Sequence, residues 1–416
     1  MSYNRQATYP WIVSLSCLII TIINGGIFFT FGVFINPLED HFGWSRGEVS
    51  TAWTAMLVAY VPGSIILGRL ADRHGPRLAT AVAAVTVGLG LVLAGQVQNL
   101  ASFVAAYAFI GFGTGATFTV PSATIQRWFQ KRRGLMIGIV VSGAGTGGIF
   151  APIAERWIAS YGWQDAYRLL GIFFGSALAV AMVGALSAPD RLGLRPYGWG
   201  TEAASAGSSQ STGYTMGEAS RLPAFWGLLA IIVLTMSPYL FVTAHLAPLS
   251  TGRGISASQA AWAVMLMAVF AGVGKVLLGA AAERIGWLRG AAIAVFINAA
   301  AVLWLMAAEN PFTIYGFAMV FGVFIGGAIV LLMGSAAVFF GTRSLAELLG
   351  YFIGAEVLLG AVFSLVAGVV FDWTGSYFLP LTVTFAAFAT AGVLALLIRP
   401  PVWKSTGDKG AFQTTA

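Results

Sequence analysis

The sequence predicts an all-α membrane protein of twelve transmembrane helices, arranged as two pseudo-symmetric six-helix halves. Three observations carry that prediction. Only 9% of the 416 residues are charged and 58% are hydrophobic, where a soluble domain carries about 25% charged residues; the mean hydropathy is +0.84. The apolar runs reach the roughly 20 residues that a helix needs to cross a bilayer. A single offset of 211 residues relates two pairs of motifs: Pro37-Leu38-x4-Gly43-x-Ser45 returns as Pro248-Leu249-x4-Gly254-x-Ser256, and Gly68-x3-Asp72-Arg73-x-Gly75 returns as Gly279-x3-Glu283-Arg284-x-Gly286.

In chain order the spans fall at roughly 11–35, 49–70, 78–97, 101–125, 134–158 and 165–187, then at 223–249, 257–282, 288–307, 311–334, 346–371 and 377–398. The first run is too long for the apolar core of a signal peptide and reads as a retained helix. The turns are short except for 188–222, whose Gly, Ser and Thr content (EAASAGSSQSTG) marks a flexible linker. The expected layout is therefore a half at 1–187, a linker at 188–222, a second half at 223–400 and a tail at 401–416. Lysine and arginine set the orientation. With the N-terminus inside, 17 basic residues lie in inner segments and 4 in outer ones, so both termini are expected in the cytoplasm, with the chain in a bacterial-type inner membrane. The net charge of +7 is a topology signal rather than a sign of nucleic-acid binding. One cysteine, Cys17, excludes a disulfide framework or a cysteine-based zinc site. No cofactor or metal is expected, and the partners expected are the lipid bilayer and a small solute, with the protein a monomer.

Twelve spans, the duplicated half and the turn Gly68-Arg-Leu-Ala-Asp72-Arg73-His-Gly75-Pro-Arg77 resemble the major facilitator superfamily. The run Trp128-Phe129-Gln-Lys131-Arg132-Arg133-Gly-Leu135-x2-Gly138-x3-Ser142-Gly143-x3-Gly147 is similar to the helix 5 signature of the monocarboxylate porters and their oxalate/formate antiporter relatives. Asn24-Gly25-Gly26 followed by Phe31-Gly32-Val33-Phe34 resembles their helix 1 motif, with Asn24 where an acid is usual. The resemblance implies alternating access between two rocking halves, with the substrate path between them. It also implies that Gly68, Asp72, Arg73 and Arg77, with Glu283 and Arg284 in the second copy, latch one state; simple positive-inside anchoring is the competing reading.

Stripes of small residues, Gly134, Gly138, Ser142 and Thr146 on helix 5 and Gly111, Gly115 and Thr119 on helix 4, let helices approach closely in lipid. Packing explains most of the glycines, while Ser142 and Thr146 are candidates for the path. Pro62, Pro121, Pro152 and Pro238 mark expected bends.

Deep in the spans the ionisable residues are His245, Lys275 and Glu356. A charge at a helix centre costs about 2.5–3.5 kcal/mol on insertion scales, which makes each a functional candidate. Lys275 either binds substrate or snorkels toward the nearer membrane surface. The resemblance places it where relatives carry an arginine for a substrate carboxylate, and a lysine offers a point charge in place of a planar fork. Oxalate carriers have a second cation on helix 11, where this chain has Glu356. Their tyrosines correspond to Phe29, Phe34 and Phe118. One cation among apolar aromatics implies a single carboxylate rather than a dicarboxylate. Glu356 is then a resting counter-ion of Lys275 and a proton-coupling group, since its protonation responds both to burial and to a neighbouring ammonium. His245 is the second choice for coupling, or else a satisfied polar residue at the outer mouth.

The function predicted is a secondary transporter of a small organic anion, a monocarboxylate moved with a proton. The alternatives are a carrier of a zwitterionic, amino acid-like or other small polar solute, and a carboxylate exchanger. A membrane receptor or sensor is the rival of a different class. No nucleophile–base pair, metal cluster or phosphate loop supports an enzyme.

Overall fold

The computed structural model describes residues 2–129, 133–185, 189–198, 213–341 and 345–401. The first half holds α1 (Ser2–Phe42), α2 (Arg46–His74), α3 (Pro76–Ala94) and α4, which runs as Leu100–Thr114 and Ala116–Trp128. Next, α5 opens as Arg133–Thr146, passes through a 3-10 turn at Gly147–Ile149 and continues into Phe150–Gly184. Gly162, at φ 82° and ψ 164°, breaks that last stretch, so 163–184 is a separate helix, α6. The second half holds α7 (Pro223–Thr251), α8 (Ala257–Ile285), α9 (Trp287–Ala307), α10 (Pro311–Phe340), α11 (Leu345–Thr374) and α12 (Phe378–Leu397). Among the described residues twelve apolar helices result, at the expected positions and mostly a few residues longer. Of these, α2, α4, α8 and α10 start at the side-chain caps Ser45, Asn99, Ser256 and Asn310, which lie outside the apolar runs. The 3-10 turn has a local cause: Pro152 has no N–H to return to the carbonyl four residues earlier, and the helix tightens there. Part of the linker (199–212) and residues 402–416 of the tail lie outside the described residues.

The 211-residue repeat reappears in the geometry. Gly43 and Gly254 have φ of 70° and 79°, and Gly75 and Gly286 have φ of 94° and 82°; these left-handed turns suit glycine. Ser45 and Ser256 each cap the following helix in a capping box, with Glu48 and Gln259 respectively. Asn99 and Asn310 cap α4 and α10. Helix crossings repeat too. Gly63 meets the backbone of Phe112, and 211 residues on Gly274 meets that of Val323; Gly111 meets Met56, and Gly322 meets Met267. By this register Lys275 on α8 is the counterpart of Ser64 on α2, and Glu356 on α11 is the counterpart of Gly145 on α5.

Each half has its own core. Trp53, Phe31, Phe103 and Tyr167 are buried in the first, and Phe317, Phe321 and Phe388 in the second. The outer surface is apolar, with Ile172, Val180 and Leu396 all more than 60% exposed, as suits helices solvated by lipid. The start of α1 and the end of α12 lie at one face, here the terminal face; the turns after α1, α3, α5, α7, α9 and α11 form the distal face.

Candidate functional site

The halves meet along three main helix pairs: α1 with α7, α2 with α11, and α5 with α8. Their close contacts lie toward the distal face. Gly32 of α1 packs on the Ala244 carbonyl of α7, and Asn36 Nδ2 donates to Thr251 Oγ1 at 2.6 Å. Thr54 Oγ1 of α2 donates to the Ala361 carbonyl of α11 at 3.2 Å. Gly145 and Gly148 of α5 rest on Ala268 of α8. Nearest the terminal face come Gly272 against the Ser142 carbonyl, and Glu356 beside Tyr60. Beyond that level, Gly68, Gly138, Gly350 and Gly354 have no atom within 4 Å of where a side chain would begin. The seam is closed distally and parts toward the terminal face.

Lys275 stands where it parts. It lies three residues past Gly272, which faces the Ser142 carbonyl of α5. It is also eighteen residues, five whole turns, from Ala257, and therefore points in the same direction. Ala257 lines a distal pocket of about 210 Å³ in the seam with Gly32, Val33 and Ala247. Lys275 is partly buried, and among the described residues nothing charged acts on it.

Glu356 holds the matching layer in the other crossing. It lies eleven residues from Leu345, as Lys275 lies ten from Ile285, so each is about 15 Å from its terminal-face helix end. Its Oε2 is buried without a hydrogen-bond partner. Its carbonyl accepts from Ser237 Oγ of α7 at 3.4 Å, and its carboxyl is within electrostatic reach of Tyr60 of α2 and Tyr239 of α7. Sequence reading missed both tyrosines, because a tyrosine in an apolar run looks like core. Lys275 and Glu356 form no ion pair here, so the lysine's expected resting counter-ion is not in place in this state.

The remaining candidates divide. His245 is fully buried at the distal end of α7, with Nδ1 2.9 Å from Tyr377 Oη and Nε2 3.2 Å from the Ser364 carbonyl. A carbonyl only accepts, so Nε2 carries the proton and Nδ1 accepts from the tyrosine; His245 is a satisfied polar residue in this state. Asn24 Nδ2 donates to Thr117 Oγ1 at 2.9 Å, tying α1 to α4 inside the first half. Asn24→Ala is expected to lower thermal stability in detergent by about 1 kcal/mol with uptake retained; lost uptake at unchanged stability would instead mark Asn24 as part of the path. Phe29 is buried among second-half residues at the seam. Phe34 differs from expectation: it is 1% exposed and stacks on Tyr167 at 3.8 Å inside the first-half core, which removes it from the cavity lining. Its register on α1 turns it toward α6, and a motif read in one dimension does not show that. Phe118 is partly buried on α4 beside Thr117. On α5, Ser142 is partly buried and Thr146 exposed, their hydroxyls donating to the Ile139 and Ser142 carbonyls at 2.8 and 3.5 Å.

At the terminal face, Arg73, Arg77 and Arg284 are exposed, and Arg77 donates to the Val183 carbonyl at the end of α6 at 2.8 Å. The side chains of Asp72 and Glu283 lie outside the described set.

The distal end holds a clamp that the sequence did not announce. Asp372 of α11 accepts from the backbone N–H groups of Arg46 and Gly47 at 2.9 and 2.8 Å, capping the N-terminus of α2 across the seam. The helix dipole favours an anion there. Arg46 pairs with Glu39 at 2.9 Å, donates to Tyr377 Oη at 3.2 Å and lies 4.1 Å from the Phe371 ring centre. Burial pushes the Tyr377 phenol up despite nearby Arg46, so it stays a neutral donor toward His245.

The chain matches the Major Facilitator Superfamily over residues 17–254. Among curated proteins it is similar to an oxalate:formate antiporter of Oxalobacter formigenes, with 23% identity over 70% of this chain and 67% of that protein. It is also similar to monocarboxylate transporter 11 of Homo sapiens, with 27% identity over 67% of this chain and 57% of that protein. Riboflavin transporter RibJ of Trypanosoma cruzi is 26% identical over 44% of this chain and 40% of its own length. The chain thus spans about two thirds of the first relative and about half of the other two. In fold it is similar to a D-xylose-proton symporter, with a TM-score of 0.73 at 13% identity over 93% of this chain and 97% of the other. An inward-facing bacterial homolog of the lysosomal transporter Spinster gives 0.68 at 14% identity over 94% and 95%. With the match running over more than half of its length, the chain belongs to the Major Facilitator Superfamily and is a multi-pass membrane transporter, not an enzyme.

Proposed function

We propose that this protein moves a small organic monocarboxylate together with a proton by alternating access, in a cytoplasmic membrane with both termini inside. The observation that carries the reading is Lys275: an ammonium without a charged partner among the described residues, at the level where the halves part, on the face of α8 that looks into the seam. A carboxylate arriving from the open side would take the place of the missing counter-ion. The terminal face carries the bulk of the basic residues, so on this topology the conformation is inward-facing. Glu356, buried with a free oxygen in the same layer, supports the role of proton carrier, since its protonation responds to whatever charge stands beside it. The similarity to an oxalate:formate antiporter and to monocarboxylate transporters fits an anion, and the riboflavin relative extends the similarity to another solute.

Counterflow in proteoliposomes tests the reading. Internal unlabelled monocarboxylate is expected to accelerate entry of the labelled form, and an inward proton gradient to raise net uptake. Absence of trans-stimulation by any monocarboxylate would contradict it.

A further inference from the structure

We infer that Glu356, Tyr60 and Tyr239 form a second polar subsite, which recognises a hydrogen-bond donor, hydroxyl or ammonium, at the end of the substrate away from its carboxylate. The inference rests on the reading of Lys275 as the carboxylate anchor and names the substrate class more narrowly.

Four observations carry it. The first is the free Oε2 of Glu356, buried with no donor in reach. A buried acceptor left unmet is unfavourable, so something is expected to meet it during the cycle. Second, among the described residues the Glu356 carboxyl has no cation beside it: Lys275 is not its partner, and its electrostatic neighbours are the two phenols. Third, it lies where the seam parts. Thr54 Oγ1 of α2 meets the Ala361 carbonyl of α11 across the seam, five residues distal, while Gly354 and Gly350 on the terminal side border open space. Fourth, helix rise puts Lys275 and Glu356 at similar depths, each about 15 Å from its terminal-face helix end, on different walls, one at the α5–α8 crossing and one at the α2–α11 crossing. A solute held by Lys275 at one end therefore presents its other end to a carboxyl flanked by hydroxyls.

The walls around this subsite are set by residues that sequence motifs do not mark. Tyr60 lies edge-on to Phe28, with ring centres 6.0 Å apart, and Ser237 ties the Glu356 backbone to α7. Phe28 and Tyr60 give the subsite an aromatic flank that suits a short carbon chain between two polar ends. Proton coupling is compatible with this role. A neutral carboxyl keeps an oxygen that accepts from a hydroxyl or ammonium, and an ionised one accepts more strongly.

Matched ligands on the purified full-length protein, read by isothermal titration, test the inference. Butyrate, 4-hydroxybutyrate and 4-aminobutyrate, and the corresponding three-carbon set, share a carboxylate and differ only in the distal donor. At least one donor-bearing ligand is expected to bind about tenfold or more tightly than its plain parent. Glu356→Gln and Tyr239→Phe are each expected to shrink that advantage at least several-fold, read as the ratio of the donor-bearing ligand's affinity to its parent's within the same variant. The ammonium and hydroxyl members identify which donor is read. Equal affinity for plain and donor-bearing acids in the wild type overturns the subsite and leaves the Lys275 reading standing. Glu356-dependent binding of the matching amines or alcohols lacking a carboxylate sustains the subsite and overturns the Lys275 reading instead. Failure of every donor-bearing compound to bind overturns the subsite.

Discussion

Lys275→Ala is expected to abolish transport of the carried anion while the protein still inserts and folds. The lysine is partly buried on a seam-facing stripe, and among the described residues it has no partner whose loss would unsettle the fold. Removing one member of a buried ion pair leaves the other uncompensated, at about 3–5 kcal/mol. For a bound carboxylate that is a loss of roughly two to three and a half orders of magnitude in affinity. Lys275→Arg keeps the charge but replaces a compact ammonium with a rigid fork, so partial activity with altered selectivity is expected. Initial uptake rates in proteoliposomes, normalised to folded protein by size-exclusion profile, check both variants. Full activity in Lys275→Ala would sink the assignment.

Asp372→Ala is expected to shift the population toward a state open at the distal face. Asp372 accepts two backbone hydrogen bonds from the start of α2 across the seam. A hydrogen bond to a charged group contributes about 1.5–3 kcal/mol, and the exposure of Asp372 to solvent favours the lower end of that range. A tenfold or greater shift follows if the closed state loses one such contribution. A cysteine introduced at Ala247, which lines the distal pocket, reports the change. On the proposed topology, a membrane-impermeant thiol reagent added outside is expected to label it slowly in the wild-type background and at least several-fold faster with Asp372→Ala. Identical labelling rates would show that the clamp does not hold the distal end shut. High salt is expected to speed labelling in the wild type, because it weakens exposed charge interactions.

The fold was legible because its determinants are local and repeated. Left-handed glycines at Gly43 and Gly254, and serine caps at Ser45 and Ser256, are written in the residues next to the turns they make. An offset of 211 residues made each pair visible. The site was legible only in part. A lysine or glutamate inside an apolar run stands out by composition, which is how Lys275 and Glu356 were found. What surrounds them depends on tertiary register. Asp372 meets residues more than 300 positions away in the chain, and Tyr60 and Tyr239 reach Glu356 from two different helices. Phe34 shows the opposite error. It belongs to a recognisable motif, yet the helical rotation of α1 turns it onto Tyr167 and away from the seam.

The central claim is that Lys275 holds a substrate carboxylate, and titration of the solubilised protein with a monocarboxylate series, in the wild type and in Lys275→Ala, tests it most directly. Saturable binding of at least one carboxylate, lost or weakened a hundredfold or more in Lys275→Ala and partly kept in Lys275→Arg, is the predicted result. Carboxylate binding of unchanged affinity in Lys275→Ala, or tight binding confined to ligands without a carboxylate, would contradict it.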